Sequence, residues 1–439
     1  MNYSPAKTLL LFFSGLIAAG TIILSLPVCR NPGAEFSFLT NLFTAASASC
    51  VTGLTVVPIN EYFSGTGQTV IMLLVQIGGL GYMFVSTVVT LLIGKMALKD
   101  RRIMQEIFDV SSFKDLKKLL VKAVIFVLAI EAAGAVVLTV VFLKDFAFFE
   151  SCYLGLFHSV TAFCNAGFSP FPDSLISYSG NPLMLYAMSA LIILGGLGFF
   201  VIVDIYDTYK DKHIHLSVHT KVVLSMTAGI LLFGFAVFMF SAGSGVFKEG
   251  ALSFKAVNNA FFQIVSARTA GFASVPADSF SEFTEIILIF LMSVGAAPGS
   301  TAGGIKITTL ALVFVFVRSM VKADADFVLF KRRIPIDLVK KALTIFIIFF
   351  ACVAVLSAAL ILLEADKRPI DVVFEAVSAF ATVGLSVGVT PLLSPWGKVL
   401  IIFAMIVGRI GILTILILML TSGKQRKSIN YPEARILVG

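Results

Sequence analysis

Charge is scarce in this chain. Only 13% of its 439 residues are Asp, Glu, Lys or Arg, against about 25% in an ordinary soluble domain. That shortage excludes a soluble globular protein. With 58% hydrophobic residues and a mean hydropathy of +0.99, the chain reads as an integral membrane protein with several spans. Paired cysteine spacing is missing as well. Cys29, Cys50, Cys152, Cys164 and Cys352 form no CxxC pattern, and most lie in or beside apolar segments. They read as free thiols, not as a disulfide framework or a metal site. His213, His215 and His219 fall in a basic loop and read as solvated, and His158 reads as structural. The isolated Glu131, Lys306 and Arg409 make no acid–base or metal constellation within the apolar runs, so an enzyme is not expected and no cofactor is implied. The first apolar run, from near Thr8, lacks an A-x-A cleavage site before the next polar stretch and reads as a retained span. The net charge of +8 does not indicate a nucleic-acid partner, because the basic residues sit in short gaps between apolar runs.

What the chain does have is a fourfold repeat. Gly53, Gly167, Gly271 and Gly384 each lie in a short polar stretch between two apolar runs, at spacings of 114, 104 and 113 residues. Each has a Phe ten residues upstream (Phe43, Phe157, Phe261, Phe374) and a small residue five upstream (Ala48, Ala162, Ser266, Ala379). Each is followed by Leu54, Phe168, Phe272 or Leu385. Every unit reads as a long apolar run, a short semi-polar run, a glycine loop and a second long run. The short runs, such as 37–48 and 371–379, fall below the roughly 20 residues a span requires. Such segments enter the membrane and return only where their backbone is buried in protein or faces water. The expected fold is an all-α integral membrane protein. Four tandem helix–pore helix–loop–helix units are arranged with pseudo-fourfold symmetry around one central pore. The units run 1–94, 95–206, 207–319 and 320–421, followed by a tail at 422–439.

Eight crossings put both termini on one side. Lys and Arg number 22 on the side of the termini and 8 on the glycine-loop side, which makes the termini cytoplasmic and opens the loops outward. An even number of crossings per unit gives all four the same orientation. An alternating-access carrier of the inverted-repeat type needs opposed repeats, and none is visible.

The glycine loops carry the chemistry. A potassium filter replaces the ion's water shell with backbone carbonyls, and glycine reaches the positive φ this requires. The expected filter is Val51, Thr52 and Gly53; Asn165, Ala166 and Gly167; Thr269, Ala270 and Gly271; and Thr382, Val383 and Gly384. None of these loops carries an acidic ring. The second long run of the units holds Gly78/Gly81, Gly195/Gly198 and Gly408/Gly411. The third unit has instead Gly295, Ala296, Ala297, Pro298, Gly299, Ser300, Thr301, Ala302, Gly303 and Gly304. Pro298 removes a backbone donor and clashes within a helix. That helix should break in two around an irregular intramembrane loop beneath the filter. The G-x4-G spacing from Gly299 to Gly304 is not a nucleotide-binding loop, because Ile305 intervenes before Lys306. Arg409 sits mid-span, so it faces the pore cavity, pairs across a subunit contact, or makes an interhelical hydrogen bond with no transport role. Glu131 is a packed, hydrogen-bonded or protonated acid with no assigned role. Lys306 lies near the cytoplasmic mouth or snorkels.

The chain resembles the Trk/Ktr/HKT superfamily of cation transporters, and most closely the bacterial KtrB-type membrane subunit. The resemblance rests on Thr44–Ala48 with Val51–Leu54, Asn165–Ser169, Arg268–Phe272, Ser378–Phe380 with Thr382–Leu385, and Gly408–Gly411. It covers essentially the whole length. It implies potassium uptake across the bacterial cytoplasmic membrane by a homodimer with one pore per protomer, gated by the intramembrane loop and Arg409. It also implies stimulation by sodium and regulation by a cytosolic, KtrA-like nucleotide-binding ring, with the tail near the ring and dimer interface. In the family, glycine at all four filter positions goes with potassium preference, and serine in the first loop with sodium; this chain has Gly53 there. It departs from the family at Pro298, where many members have small polar residues. A sodium-permeable or nonselective channel of the same superfamily is the alternative.

Overall fold

The computed structural model describes residues 5–93, 113–211, 215–242, 253–323 and 326–411. His213, most of the basic 95–118 segment and the 422–439 tail lie outside the described residues. Apart from a small hairpin pairing Val328–Leu329 with Arg332–Arg333, the described secondary structure is helical.

Each unit opens with a long apolar helix: Pro5–Leu24, Phe113–Phe142, Val218–Ala242 and Ile336–Leu363. All four are long and apolar enough to cross a membrane, and they match the expected first spans. Each is followed by a short helix: Phe38–Ser49, Phe148–Phe163, Phe254–Ala267 and Pro369–Phe380. The starts of these helices are written in the sequence. Ser37 and Ser253 accept from the backbone N–H groups of Thr40 and Ala256, and Pro369 occupies a first-turn position where no N–H is needed. Their apolar faces pack into clusters in which Phe43, Phe157, Phe262 and Phe374 are almost fully buried. In the third unit the buried ring is thus Phe262, while Phe261 of the repeat is only partly buried.

The second helix of each unit departs from a plain span. The expectation of a break in the third unit holds: Glu282–Ser293 and Ile307–Lys322 are separate helices. The first two units break too, and in the fourth the helix ends at Gly411, which the sequence reading did not anticipate for the runs 67–94, 182–206 and 395–421. Gly81 takes φ 68° inside Gly65–Ile93. Gly198 takes φ 87° between Pro182–Leu197 and Phe199–Lys210, which bend by 94°. Gly411 takes φ 90° at the end of Pro395–Ile410. The second glycine of each pair supplies the left-handed backbone, which costs an L-residue roughly 1–2 kcal/mol.

The first glycine of each pair serves close approach. A Cβ on Gly78, Gly195 or Gly408 would collide with the carbonyl of Ser49, Phe163 or Phe380 respectively. Each of those carbonyls lies four residues before its loop glycine. The broken helix is therefore pressed against the end of the short helix of its own unit.

A ring of glycine loops above an intramembrane strap

The four loops have one conformation. Gly53, Gly167, Gly271 and Gly384 have φ of 94°, 69°, 77° and 93°. The residue two before each glycine is also left-handed: Val51 at 57°, Asn165 at 56°, Thr269 at 66° and Thr382 at 51°. For β-branched residues this is a strained conformation, of order 1–3 kcal/mol each, held only when the surroundings fix it. The intervening Thr52, Ala166, Ala270 and Val383 are not among the positive-φ residues, so the sign of φ alternates along each loop. Sequence reasoning credited the glycines alone; β-branched side chains gave no signal of it.

The surroundings that fix this strain are the loops themselves. A Cβ built on Gly53 would lie 3.0 Å from the Cα of Gly167, and one on Gly167 3.0 Å from that of Gly271. On Gly271 it would lie 3.0 Å from the Cα of Gly384, and on Gly384 3.1 Å from that of Gly53. The ring closes in chain order. At each junction the carbonyl before the next glycine (Ala166, Ala270, Val383 and Thr52 in turn) fills the space a side chain would need. All twelve expected filter residues are thus brought together. The short helices end four residues before the glycines, with caps three before, at Cys50, Cys164, Arg268 and Ala381. Their C-termini, each equivalent to about half a negative charge, converge on the ring. On one side the ring opens into a funnel of about 510 Å³ lined by all four glycines, with Asp173 and Asp278 on its wall.

On the other side lies the loop between Ser293 and Ile307. Its ends are pinned together by Gly295 N–H to Ile305 O at 2.9 Å and Ile305 N–H to Ser293 O at 3.1 Å. Ala296, Ala297, Thr301 and Ala302 are buried. Its backbone is satisfied by neighbouring units, as a non-helical segment at this depth requires. Ala297 N–H donates to Gly196 O at 3.0 Å, and Gly299 O accepts from Phe199 N–H at 3.1 Å. The Thr301 hydroxyl reaches Phe163 O at 3.1 Å and Gly195 O at 3.2 Å. Gly303 is packed against Ala381 O and Thr382 of the fourth loop. The break at Gly198 makes room for this strap, since a Cβ there would lie 2.8 Å from Pro298 O.

Arg409 fastens the strap. Its Nη1 donates to Thr301 O, and its Nη2 to Gly78 O at 2.7 Å and Gly79 O at 3.0 Å. One guanidinium therefore joins the fourth unit, the strap of the third and the broken helix of the first. Two cavities of about 200 and 180 Å³ are lined by Arg409 and Lys306, and Lys306 Nζ donates to Ala302 O at 2.5 Å. Arg268, a buried cation that the sequence reading placed in the Arg268–Phe272 element without giving it a role, reaches Gly295 O at 3.4 Å. Glu131 is buried and accepts from Gln76 Nε2 at 3.0 Å on both oxygens, the hydrogen-bonded alternative of the sequence reading.

Fold and ring together define a pore-loop membrane protein of four covalently joined units. The chain belongs to the TrkH family of cation transport proteins, whose pattern matches residues 16–431. It is 36% identical to the potassium/sodium uptake protein NtpJ of Enterococcus hirae, over 99% of this chain and 97% of that one. It is 37% identical to the Ktr system potassium uptake protein B of Vibrio alginolyticus, over 99% and 94%. Against the protein of that name from Bacillus subtilis the identity is 34%, over 100% and 98%. The crystal structure of the potassium transporter TrkH from Vibrio parahaemolyticus shares the fold, with a TM-score of 0.74 at 19% identity over 95% of this chain and 85% of that one.

Proposed function

We propose that this chain is the ion-translocating subunit of a Ktr-type potassium uptake system. Its selectivity filter is Val51–Gly53, Asn165–Gly167, Thr269–Gly271 and Thr382–Gly384. The closed glycine ring with alternating φ carries the reading. Alternation of handedness lines successive peptide units up on one side, so that carbonyls can stand in for an ion's water shell. The converging helix C-termini favour a cation at the centre. The strap Gly295–Gly304 is the gate and Arg409 its fastening. The units are those bounded at residues 94, 206, 319 and 421. Both termini are cytoplasmic, and the funnel faces outward.

The names of the Vibrio and Bacillus relatives, Ktr system potassium uptake protein B, support potassium as cargo and membership of a Ktr system. We extend that to a homodimer in the bacterial cytoplasmic membrane working with a KtrA-like nucleotide-binding ring, with sodium as activator. A sodium-permeable pore is the second reading, favoured by the potassium/sodium uptake name of the Enterococcus relative. Flux in liposomes with potassium, rubidium and sodium separates them. Potassium and rubidium entering well ahead of sodium is the expected result, and Gly53→Ser should bring sodium closer. A ratio that no substitution of the four glycines alters, in folded protein, would remove the filter assignment.

A further inference from the structure

Behind the ring, two of the four units share a feature that the other two lack. In the second unit His158, nine residues before Gly167, faces Ser169, two residues after it. Its Nε2 lies 3.0 Å from the Ser169 hydroxyl. In the fourth unit Glu375, nine before Gly384, faces Ser386, two after it. There the Ser386 hydroxyl donates to Oε1 at 2.5 Å, Val387 N–H donates to the same oxygen at 3.2 Å, and the Thr390 hydroxyl donates to Oε2. Both titratable side chains are fully buried. Each bond ties the body of a short helix to the strand leaving the ring, so the strained loop is held at both ends.

The geometry fixes the roles of these groups. His158 Nδ1 faces Leu154 O at 2.9 Å, so that nitrogen carries the proton and Nε2 accepts from Ser169. The Ser169 oxygen is then free to accept from Phe171 N–H at 3.1 Å. Glu375 meets three donors and no acceptor, which suits a carboxylate. At the same positions the first unit has Thr44 and Thr55, which no bond joins among the described residues, and the third has Phe262 and Ala273, which cannot bond. The third unit ties its helix to that segment at other positions, by the Ser266 hydroxyl to Phe272 O at 2.5 Å and by Ser274 N–H to Gln263 Oε1 at 3.5 Å, neither through a titratable side chain. The ring closes in chain order, so the two braced units stand opposite each other, as do the two unbraced ones.

We infer that Glu375 through Ser386, and His158 through Ser169, are positioning residues that hold two opposite loops of the ring rigid and thereby set its ion discrimination. Potassium and sodium differ in the cage size they need, and a loop that can give inward accommodates the smaller ion. The inference rests on the ring being the filter. Ser386 and Ser169 both line the outer funnel, so truncating either hydroxyl leaves the short helix untouched.

The test is potassium and sodium flux in liposomes for Ser386→Ala, Ser169→Ala, Ser386→Thr and Glu375→Gln, with Thr55→Ala as the unbraced control and Gly53→Ser as a check on the ring. Melting temperature and elution profile are read on each preparation. Ser386→Ala and Ser169→Ala should each lower the potassium-to-sodium ratio by about three- to tenfold, the range one hydrogen bond of ordinary net strength commands. Ser386→Thr, which keeps a hydroxyl, should restore the ratio, and Thr55→Ala should leave it alone. If Gly53→Ser moves the ratio while Ser386→Ala and Ser169→Ala do not, the braces have no such role and the ring assignment survives. If Gly53→Ser leaves the ratio unmoved as well, the ring assignment fails and this inference falls with it. The serine variants decide the matter even if Glu375→Gln does not fold.

Discussion

Replacing Arg409 separates two roles that its position combines. The guanidinium is bonded to Thr301 O on the strap and to Gly78 O and Gly79 O on the first unit. Only the first of these bonds holds the strap; the other two hold the arginine. A hydrogen bond to a charged group contributes about 1.5–3 kcal/mol net. Losing the Thr301 bond should therefore shift the closed-to-open ratio of the strap by roughly ten- to a hundredfold, at about 1.4 kcal/mol per decade. The charge acts separately. A potassium ion passing about 5 Å away at an effective dielectric near 20 meets a barrier of roughly 3 kcal/mol, and cavity water reduces it to ~1 kcal/mol, still several-fold in rate. Arg409→Gln removes both effects. Arg409→Lys keeps the charge but loses the planar fork that spans three carbonyls. Maximal potassium flux into liposomes, normalised to folded protein, should rise about tenfold or more in Arg409→Gln and by a smaller factor in Arg409→Lys. The potassium-to-sodium ratio should stay put in both. A lysine variant as slow as the parent beside a fast glutamine variant would refute the fastening and leave the barrier. A glutamine variant no faster than the parent, with melting temperature lowered, would refute both and leave a structural tie.

Further outcomes follow from the same geometry. Gly53→Ser places a side chain against Ala166 O at a φ of +94°, so the potassium-to-sodium flux ratio should fall. Deleting residues 296–303 removes the strap while leaving every ring residue in the chain, and maximal flux per inserted molecule should rise; a fall with folding intact would show that the strap does not obstruct. Thr301→Ala breaks the hydroxyl bonds to Phe163 O and Gly195 O and should raise flux in the same direction by about two- to tenfold, the range one or two ordinary hydrogen bonds command. Gly195→Ala drives a methyl into Phe163 O, whereas Gly229 has nothing within 4 Å. The first should therefore lower the melting temperature, by overpacking of about 1–3 kcal/mol. Gly229→Ala should hold or raise it, because alanine replaces glycine within a helix.

Much of this architecture was legible in the chain because membrane burial leaves few solutions. A run of about 20 apolar residues crosses, and a shorter one flanked by a glycine must turn back into protein. The repeat of Phe, small residue and glycine located all four loops, and Pro298 among four glycines located the strap. The breaks at Gly81 and Gly198 and the helix end at Gly411 were signalled by Gly-x-x-Gly pairs but read as continuous spans, because hydropathy does not register backbone handedness. The left-handed Val51, Thr269 and Thr382 were illegible for the opposite reason. Local propensity disfavours them, and only the contact between loops imposes the conformation. The partners of Arg409 lie in units more than 100 residues away, beyond any local pattern. The pairing of Glu375 with Ser386 was hidden because an acid in a short, largely apolar helix gives no sign of where its donors come from.

The central claim is that cations bind to backbone oxygens inside the glycine ring. Anomalous X-ray diffraction from crystals grown in rubidium tests it directly, on protein that carries rubidium in liposomes. The account requires a peak on the axis of the ring, within coordination distance of carbonyls from all four loops between Val51–Gly53, Asn165–Gly167, Thr269–Gly271 and Thr382–Gly384. A ring empty of rubidium, with the peak instead at carboxylates such as Asp173 or Asp278 of the funnel, would contradict it.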